Sequence, residues 1–304
     1  MSVQKVKISA SGPALSRIAA GTMTWGEWGV DYGSEKMQEM IRYCIDLDIT
    51  TFDHADIYGN YSTEATFGQA LNRLGSGVRA QMELVTKCGI RLKTKRRPEN
   101  NLKSYDLSRD YIIHSAERSL ENLHTDYLDL FLLHRPSPLM DPAEVAEAFT
   151  QLRQSGKVRA FGVSNFSPSQ FSLLNAYVEL ATNQVECHPL RPQCFHDGTF
   201  DQLLAAGTRP MVWSPLGGSH YFKEESTNIL RLRNTVKNLA EKYGDVGEDV
   251  ILLAWLLRHP VGAIPVVGTT KKQRLGNTRL ALETELATED WFAILEAATG
   301  HEVA

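Results

Sequence analysis

Residues 128–165 read LDLFLLHRPSPLMDPAEVAEAFTQLRQSGKVRAFGVSN. Two short apolar runs, Leu128 to His134 and Ala160 to Ser164, flank a longer helical stretch, and neither run is long enough to make a helix itself. The same alternation extends in both directions. Ile18 to Met23, Thr50 to Asp53 and Leu84 to Cys88 precede it; Thr182 to Glu186, Pro210 to Ser214 and Ala263 to Val267 follow. Strands that alternate with helices predict a parallel sheet. Eight such units within about 250 residues predict a closed (β/α)8 TIM barrel over an open doubly wound sheet. No low-complexity tract, long linker or internal repeat interrupts the 304 residues, so one domain over 1–304 is expected.

The helical stretches carry one apolar face each. Met37, Met40, Ile41, Cys44 and Ile45 recur at helical spacing, with Ser34 expected as the N-cap. Ile112, Ile113, Ala116, Leu120 and Leu123 repeat the pattern behind Ser108, and Ser167-Pro168 places a capping serine before a proline at the first helical position. Val3 to Ile8, with the turn Ser11-Gly12-Pro13, predicts a β-hairpin ahead of the first barrel strand. Residues 288–299 predict an extra C-terminal helix.

Composition narrows the class of function. Hydrophobic residues at 42% and charged residues at 22% describe a folded globular chain. Lys+Arg 32 against Asp+Glu 36 gives a net charge of -4, which argues against a nucleic-acid footprint and against an anionic membrane as partner. The longest apolar run, Val250 to Leu257, falls far short of the roughly 20 residues of a membrane span. The opening MSVQKVKISASG has no signal-peptide core, and four cysteines (Cys44, Cys88, Cys187, Cys194) make no disulfide framework, so a cytoplasmic location is expected. Small-molecule chemistry is left as the leading class; the oligomeric state is not legible.

In a (β/α)8 barrel, reactive groups stand at the C-terminal ends of the strands. Strand two runs into Asp53-His54-Ala55-Asp56-Ile57-Tyr58-Gly59, strand three ends near Lys87, and strand four at His134. A phenol, with an ordinary pKa of about 10, needs a perturbing neighbour to exchange protons at neutral pH. Lys87 can stabilise phenolate and lower that value, and Asp53 can keep the lysine charged and placed. His134 adds a hydrogen-bond donor. A proton donor flanked by positive hydrogen-bonding groups suits reduction of a carbonyl, with hydride supplied by a cofactor because no side chain can supply it.

These residues and their surroundings resemble the aldo-keto reductase family, more particularly a bacterial NADPH-dependent oxidoreductase branch, and the likeness covers nearly the whole chain. DHADIYG, LVTKCG and DLFLLHRP carry the tetrad Asp53, Tyr58, Lys87 and His134; GTMTWG at 21–26, GKVRAFGVSNF at 156–166, NQVECHP at 183–189 and WSPLGG at 213–218 match further signatures. The resemblance implies NADPH-dependent reduction of an aldehyde or ketone without metal. It implies nicotinamide stacked on Trp213, its carboxamide held by Ser164, Asn165 and Gln184, and Gly21, Thr22 and Met23 lining the nicotinamide end. Ser214, Pro215, Leu216, Gly217 and Gly218 continue the cofactor segment, and Gly268, Thr269, Thr270, Arg274, Asn277 and Thr278 form the phosphate end. There a guanidinium can grip the 2′-phosphate while a helix starting near Lys271 offers free N–H groups. Gly268 stands where many members have lysine, Asn277-Thr278 where Glu-Asn is usual, and Trp213 where better-known members have tyrosine; NADPH is favoured, with modest discrimination.

Rival readings are weaker. Cys187, His188, Cys194 and His196 lack a CxxC pair and are separated by Pro189 and Pro192, and a metal site at Asp56, His54 and His134 would leave Tyr58 and Lys87 unexplained; no metal is expected. The basic run from Arg91 to Arg97 reads as a solvated loop, with a lesser role in attracting phosphate or acidic substrates as the alternative. Trp25, Trp28 and Tyr61 are candidates for an apolar pocket wall or for rim packing, Trp25 foremost for the pocket together with Tyr58 and His134. Cys88 should alternate away from Lys87. Ser219 to Phe222 read as a loop able to close over the cofactor, hinged at Gly217-Gly218. A protein of another class, an NADPH-binding sensor or scaffold with little turnover, is the alternative, and an intact tetrad argues against it.

Overall fold

Each of the eight predicted apolar runs forms a strand. The computed structural model describes residues 5–303, apart from the side chains of Ser219 and His220. The strands are β1 (Ala19–Gly21), β2 (Thr51–Asp53), β3 (Glu83–Cys88), β4 (Leu130–Leu133), β5 (Phe161–Ser164), β6 (Asn183–Glu186), β7 (Met211–Trp213) and β8 (Ile264–Val267). They close into one parallel barrel in which β8 pairs with β1. Helices α1 (Ser34–Asp46), α2 (Thr63–Leu74), α3 (Arg109–Leu123), α4 (Pro142–Gln154), α5 (Pro168–Asn175) and α6 (Thr199–Ala205) follow the first six strands. After β7 come α7 (Gly218–Lys223), α8 (Thr227–Lys242) and α9 (Glu248–Leu257); after β8 come α10 (Lys272–Glu283) and the expected extra helix α11 (Thr288–Thr299). None is long and apolar enough to cross a membrane.

The alternation of side chains along a strand decides what the barrel can present. Phe52, Leu84, Cys88, Phe131, Leu133, Phe161, Val163, Val185 and Val212 face outward and join the helices in the larger core cluster. Cys88 is therefore on the opposite face from Lys87. Val85, Leu130, Leu132, Met211 and Ile264 face inward and pack together inside the barrel. The same parity carries Asp53, Lys87, Ser164, Gln184 and Trp213 to the inside of the C-terminal rim. Gly162 is required inside: a Cβ there would meet the Thr182 carbonyl at 2.7 Å and Leu132 at 2.8 Å.

The N-terminal hairpin plugs the other end. Val6–Lys7 pairs antiparallel with Ala14–Leu15, and Ile8 and Leu15 pack against Val85, Leu130 and Ile264. Positions 3 and 4 of the expected strand lie outside the described residues. Ser167 makes a complete capping box on α5 with Gln170. Ser34 does not cap α1. Gly33 occupies that position, because the chain turns helical at Ser34 itself and the serine hydroxyl is buried with no partner. The C-terminal helix is held by Trp255 and Trp291, whose rings stack at 5.1 Å and whose indole N–H groups each donate to the other's backbone carbonyl.

Candidate active site

Lys87 is the centre of the rim. Its ammonium, 1% exposed, donates to Asp53 Oδ2 at 2.7 Å, to the His54 carbonyl at 2.6 Å and to Tyr58 Oη at 3.3 Å. The second oxygen of Asp53 accepts from Gln184 Nε2 at 2.7 Å. Buried charges persist when they are paired and hydrogen-bonded, and both conditions hold here. Burial opposes the ammonium, but Asp53 and Tyr58 outweigh it and hold the Lys87 pKa above its ordinary value.

Tyr58 sits on a turn with an unusual backbone. Gly59, Asn60 and Tyr61 all have positive φ, of 57°, 55° and 71°, and such runs cost energy that the surroundings must offset. The Ser62 hydroxyl, donating to the Gly59 carbonyl at 2.6 Å, ties the turn down. The phenol is buried, and its ring meets His134 edge-on at 6.1 Å and Trp28 at 6.0 Å. Burial pushes its pKa up more than the lysine pulls it down. This corrects the expectation of a lowered value: desolvation is the stronger effect, so the group is a protonated phenol at neutral pH. Because Lys87 donates into the phenol oxygen, the O–H hydrogen is left to donate elsewhere.

His134 is buried, and burial, with the fields of Lys87, Arg135 and Lys103, holds its pKa well below the ordinary value. It is a neutral imidazole, and its buried Nδ1 has no partner. His54 points the other way, into the wall. Its Nδ1 lies 2.9 Å from Thr22 Oγ1, its ring packs on Phe67 at 4.3 Å, and burial drives its pKa down to about 3. An imidazole that is neutral when folded and charged when unfolded stabilises the fold above the unfolded pKa of about 6.5, and that contribution is lost as pH falls toward 3. The wild type should therefore lose stability relative to His54→Asn by about 1.4 kcal/mol per pH unit below pH ~6. Urea melts at a series of pH values check this; parallel stability curves would contradict it.

The other predicted positions divide into rim and wall. Trp213 is half-buried, its indole N–H donating to Asn165 Oδ1 at 3.1 Å, while Asn165 Nδ2 donates to Ser164 Oγ at 2.8 Å. Asn165 and Ser214 hold left-handed backbone, φ 58° and 50°, at the ends of β5 and β7. Met23, Gly218 and Gly268 are exposed, Ser214, Leu216, Thr269, Thr270 and Arg274 half-buried, and Gly21, Pro215 and Gly217 buried. Thr22 and Thr278 are buried with their hydroxyls engaged, Thr278 with the Leu275 carbonyl. Asn277 donates to both oxygens of Asp249. Gln184 contacts Asp53, as above.

Two expectations are corrected. Trp25 does not line the pocket: it is 0% exposed and packs on Phe52, Phe67 and Tyr32 in the core. The aromatic beside Tyr58 is Trp28, 39% exposed. The segment after β7 is not an open loop; it folds as α7, with the Tyr221 hydroxyl donating to Glu248 at 2.6 Å and Arg233 Nε to the Tyr221 carbonyl. Tyr61 belongs to the rim, accepting from the Leu92 amide. Arg96, in the basic run, is paired with Glu27. Asp56 lines a separate polar cavity of about 220 Å³ between α2, α3 and the loop after β3, together with Glu64, Arg97 and Tyr111. Among the described residues no group of three His, Cys, Asp or Glu side chains is placed to hold a metal ion. The sequence places Arg135, at the His134-Arg135-Pro136 end of strand four, in the mouth without assigning it a role there.

Residues 17–299 match the Aldo/keto reductase family. The chain belongs to that family. This aldo/keto reductase is 44% identical over 306 residues to the oxidoreductase YdhF of Escherichia coli, covering 99% of each chain. It is 38% identical over 292 residues to a 6-dehydroglucose reductase of Agrobacterium fabrum, covering 95% of this chain and 96% of that one. Among solved structures it superposes on the thermostable aldo-keto reductase Tm1743 with a TM-score of 0.80 at 25% identity, covering 96% of this reductase and 99% of that chain. The glycerol dehydrogenase of Gluconobacter oxydans shares the fold, with a TM-score of 0.84 at 23% identity over 99% and 97% of the two chains.

Proposed function

We propose that this reductase, acting as one domain in the cytoplasm, reduces an aldehyde or ketone to the alcohol with NADPH, and that Tyr58 supplies the proton. The observation that carries this reading is Lys87 bridging Asp53 at 2.7 Å and Tyr58 at 3.3 Å inside the barrel mouth. NADPH, when bound, supplies the hydride that no side chain can. The chain's own residues fit it: an unpartnered buried imidazole nitrogen at His134, a half-buried indole at Trp213 oriented by Asn165, and open space around Gly268 beside the N-terminus of α10. Trp213, Ser164 and Asn165 would hold the nicotinamide end, and Arg274 with the first amides of α10 the 2′-phosphate.

In this reading Tyr58 and His134 converge on the carbonyl oxygen. The phenol gives its proton to that oxygen as negative charge develops there, and the ammonium of Lys87, already donating into Oη, stabilises the phenolate left behind. Asp53, fixed by Gln184, keeps the ammonium in place. Neutral His134 orients the carbonyl by hydrogen bonding. Trp28 walls the pocket beside Tyr58.

The test is initial-rate nucleotide oxidation across a panel of aldehydes, ketones and quinones with NADPH and NADH. Alcohol formation with NADPH preferred supports the reading; negligible rates with tight nucleotide binding would favour a sensor. Arg274→Ala should raise KM for NADPH by roughly tenfold to a hundredfold and leave KM for NADH nearly unchanged, from the loss of a charge-assisted pair. Equal effects on both nucleotides would remove Arg274 from the 2′-phosphate.

A further inference from the structure

Arg135 follows directly on His134, where β4 has ended and strand parity no longer holds. Its guanidinium is half-buried, and its contacts are neutral. Nη1 donates to the His134 carbonyl at 2.6 Å and to Ser164 Oγ at 3.4 Å, and Cζ lies 5.8 Å from the centre of the Trp213 ring. A forked guanidinium carries five N–H donors, and among the described residues only Nη1 is used. The ionisable groups whose fields reach it are the phenols of Tyr58 and Tyr105 and the carboxylate of Glu186, which itself lies 3.4 Å from His188.

The other cations of the site are differently placed. Lys87 is neutralised by Asp53. Lys103, whose field reaches His134, precedes the short strand Ser104–Tyr105, which pairs with Ile90–Arg91 just beyond β3. The mouth beside Tyr58 and His134 therefore presents a partly desolvated cation without an anionic partner in contact among the described residues. Such a group is costly until an anion meets it, and bidentate pairing with carboxylate or phosphate is what its geometry suits best.

We infer that Arg135 is a specificity residue for a carbonyl substrate bearing an anionic group, carboxylate or phosphate, beyond its aldehyde or ketone. The inference rests on the proposed carbonyl reduction and goes further, naming the class of compound reduced. The carbonyl oxygen lies toward Tyr58 and His134 and the anionic end is gripped by the guanidinium N–H groups that the His134 carbonyl and Ser164 leave unused. Neutral congeners fill the pocket and leave the cation unpaired.

The experiment compares kcat/KM for matched pairs: succinic semialdehyde with butanal, glyoxylate with acetaldehyde, and glyceraldehyde 3-phosphate with glyceraldehyde. The wild type should prefer the charged member of at least one pair, and which pair separates carboxylate from phosphate and sets the reach. In Arg135→Gln that charged-to-neutral ratio should fall about tenfold to a hundredfold, mainly through KM. Arg135→Lys, which keeps the charge and loses the fork, should fall between. The nucleotide Kd, measured by fluorescence, should move little.

Reduction of the panel without charge preference, or an unchanged ratio in Arg135→Gln, would overturn the inference while leaving the carbonyl-reductase reading intact. So would an Arg135→Gln variant whose nucleotide Kd weakens while the ratio stays constant, since the cation would then serve the cofactor. Absence of any carbonyl reduction by the wild type would instead strike the reading beneath it.

Discussion

Tyr58→Phe should bind NADPH normally and lose turnover by about a hundredfold to ten-thousandfold, the range in which a positioned proton donor contributes. The phenol is buried, so phenylalanine fills the same space, and its ring contacts with Trp28 and His134 remain. What disappears is the O–H that Lys87 polarises. The hydrogen-bonding cost to the fold is small, because Lys87 keeps Asp53 and the His54 carbonyl. Pre-steady-state mixing with a good aldehyde, alongside nucleotide titration, separates the two effects. Near-normal reduction by the variant would remove Tyr58 from the chemistry.

The second large effect is expected at Lys87. Lys87→Met leaves a buried Asp53 carboxylate with Gln184 alone, and breaking a buried pair from one side costs about 3–5 kcal/mol. Turnover should fall at least about a hundredfold, because the phenolate left by proton transfer loses its counter-charge. The double variant Lys87→Met/Asp53→Asn removes both charges and keeps an oxygen for Gln184. It should regain most of the lost stability and none of the lost turnover. Denaturant melts with steady-state rates check this; recovery of turnover in the double variant would show that Lys87 serves the fold alone.

The strands were legible because the signal that marks them also builds them. Short apolar runs between helical stretches have no other way to bury themselves, and period two then fixes which rim residues face inward. That parity explains why Asp53 and Lys87, thirty-four positions apart, meet at 2.7 Å. Where parity stops, so does legibility. Trp25 and Trp28 both follow β1, and nothing in their composition says that the turn beginning at Gly26 sends the first into the core and the second beside Tyr58. Arg135 lies one residue past the strand pattern, and its direction depends on the loop. Ser34 looked like a cap because serine usually is one; the helix begins one residue early, at Ser34, and Gly33 is its cap. The phenol's pKa depends on a balance between burial and one ammonium, and burial cannot be weighed from residue types alone.

The most direct test of the account follows the hydride itself. NADPH carrying deuterium at the transferring position of the nicotinamide C4 is incubated with the enzyme and an aldehyde that the panel identifies as turned over. The product is analysed by mass spectrometry and NMR. The account predicts one deuterium on the former carbonyl carbon, one equivalent of nucleotide oxidised per alcohol formed, and greatly reduced label transfer in Tyr58→Phe. Alcohol free of deuterium, or nucleotide consumed without alcohol, would contradict it.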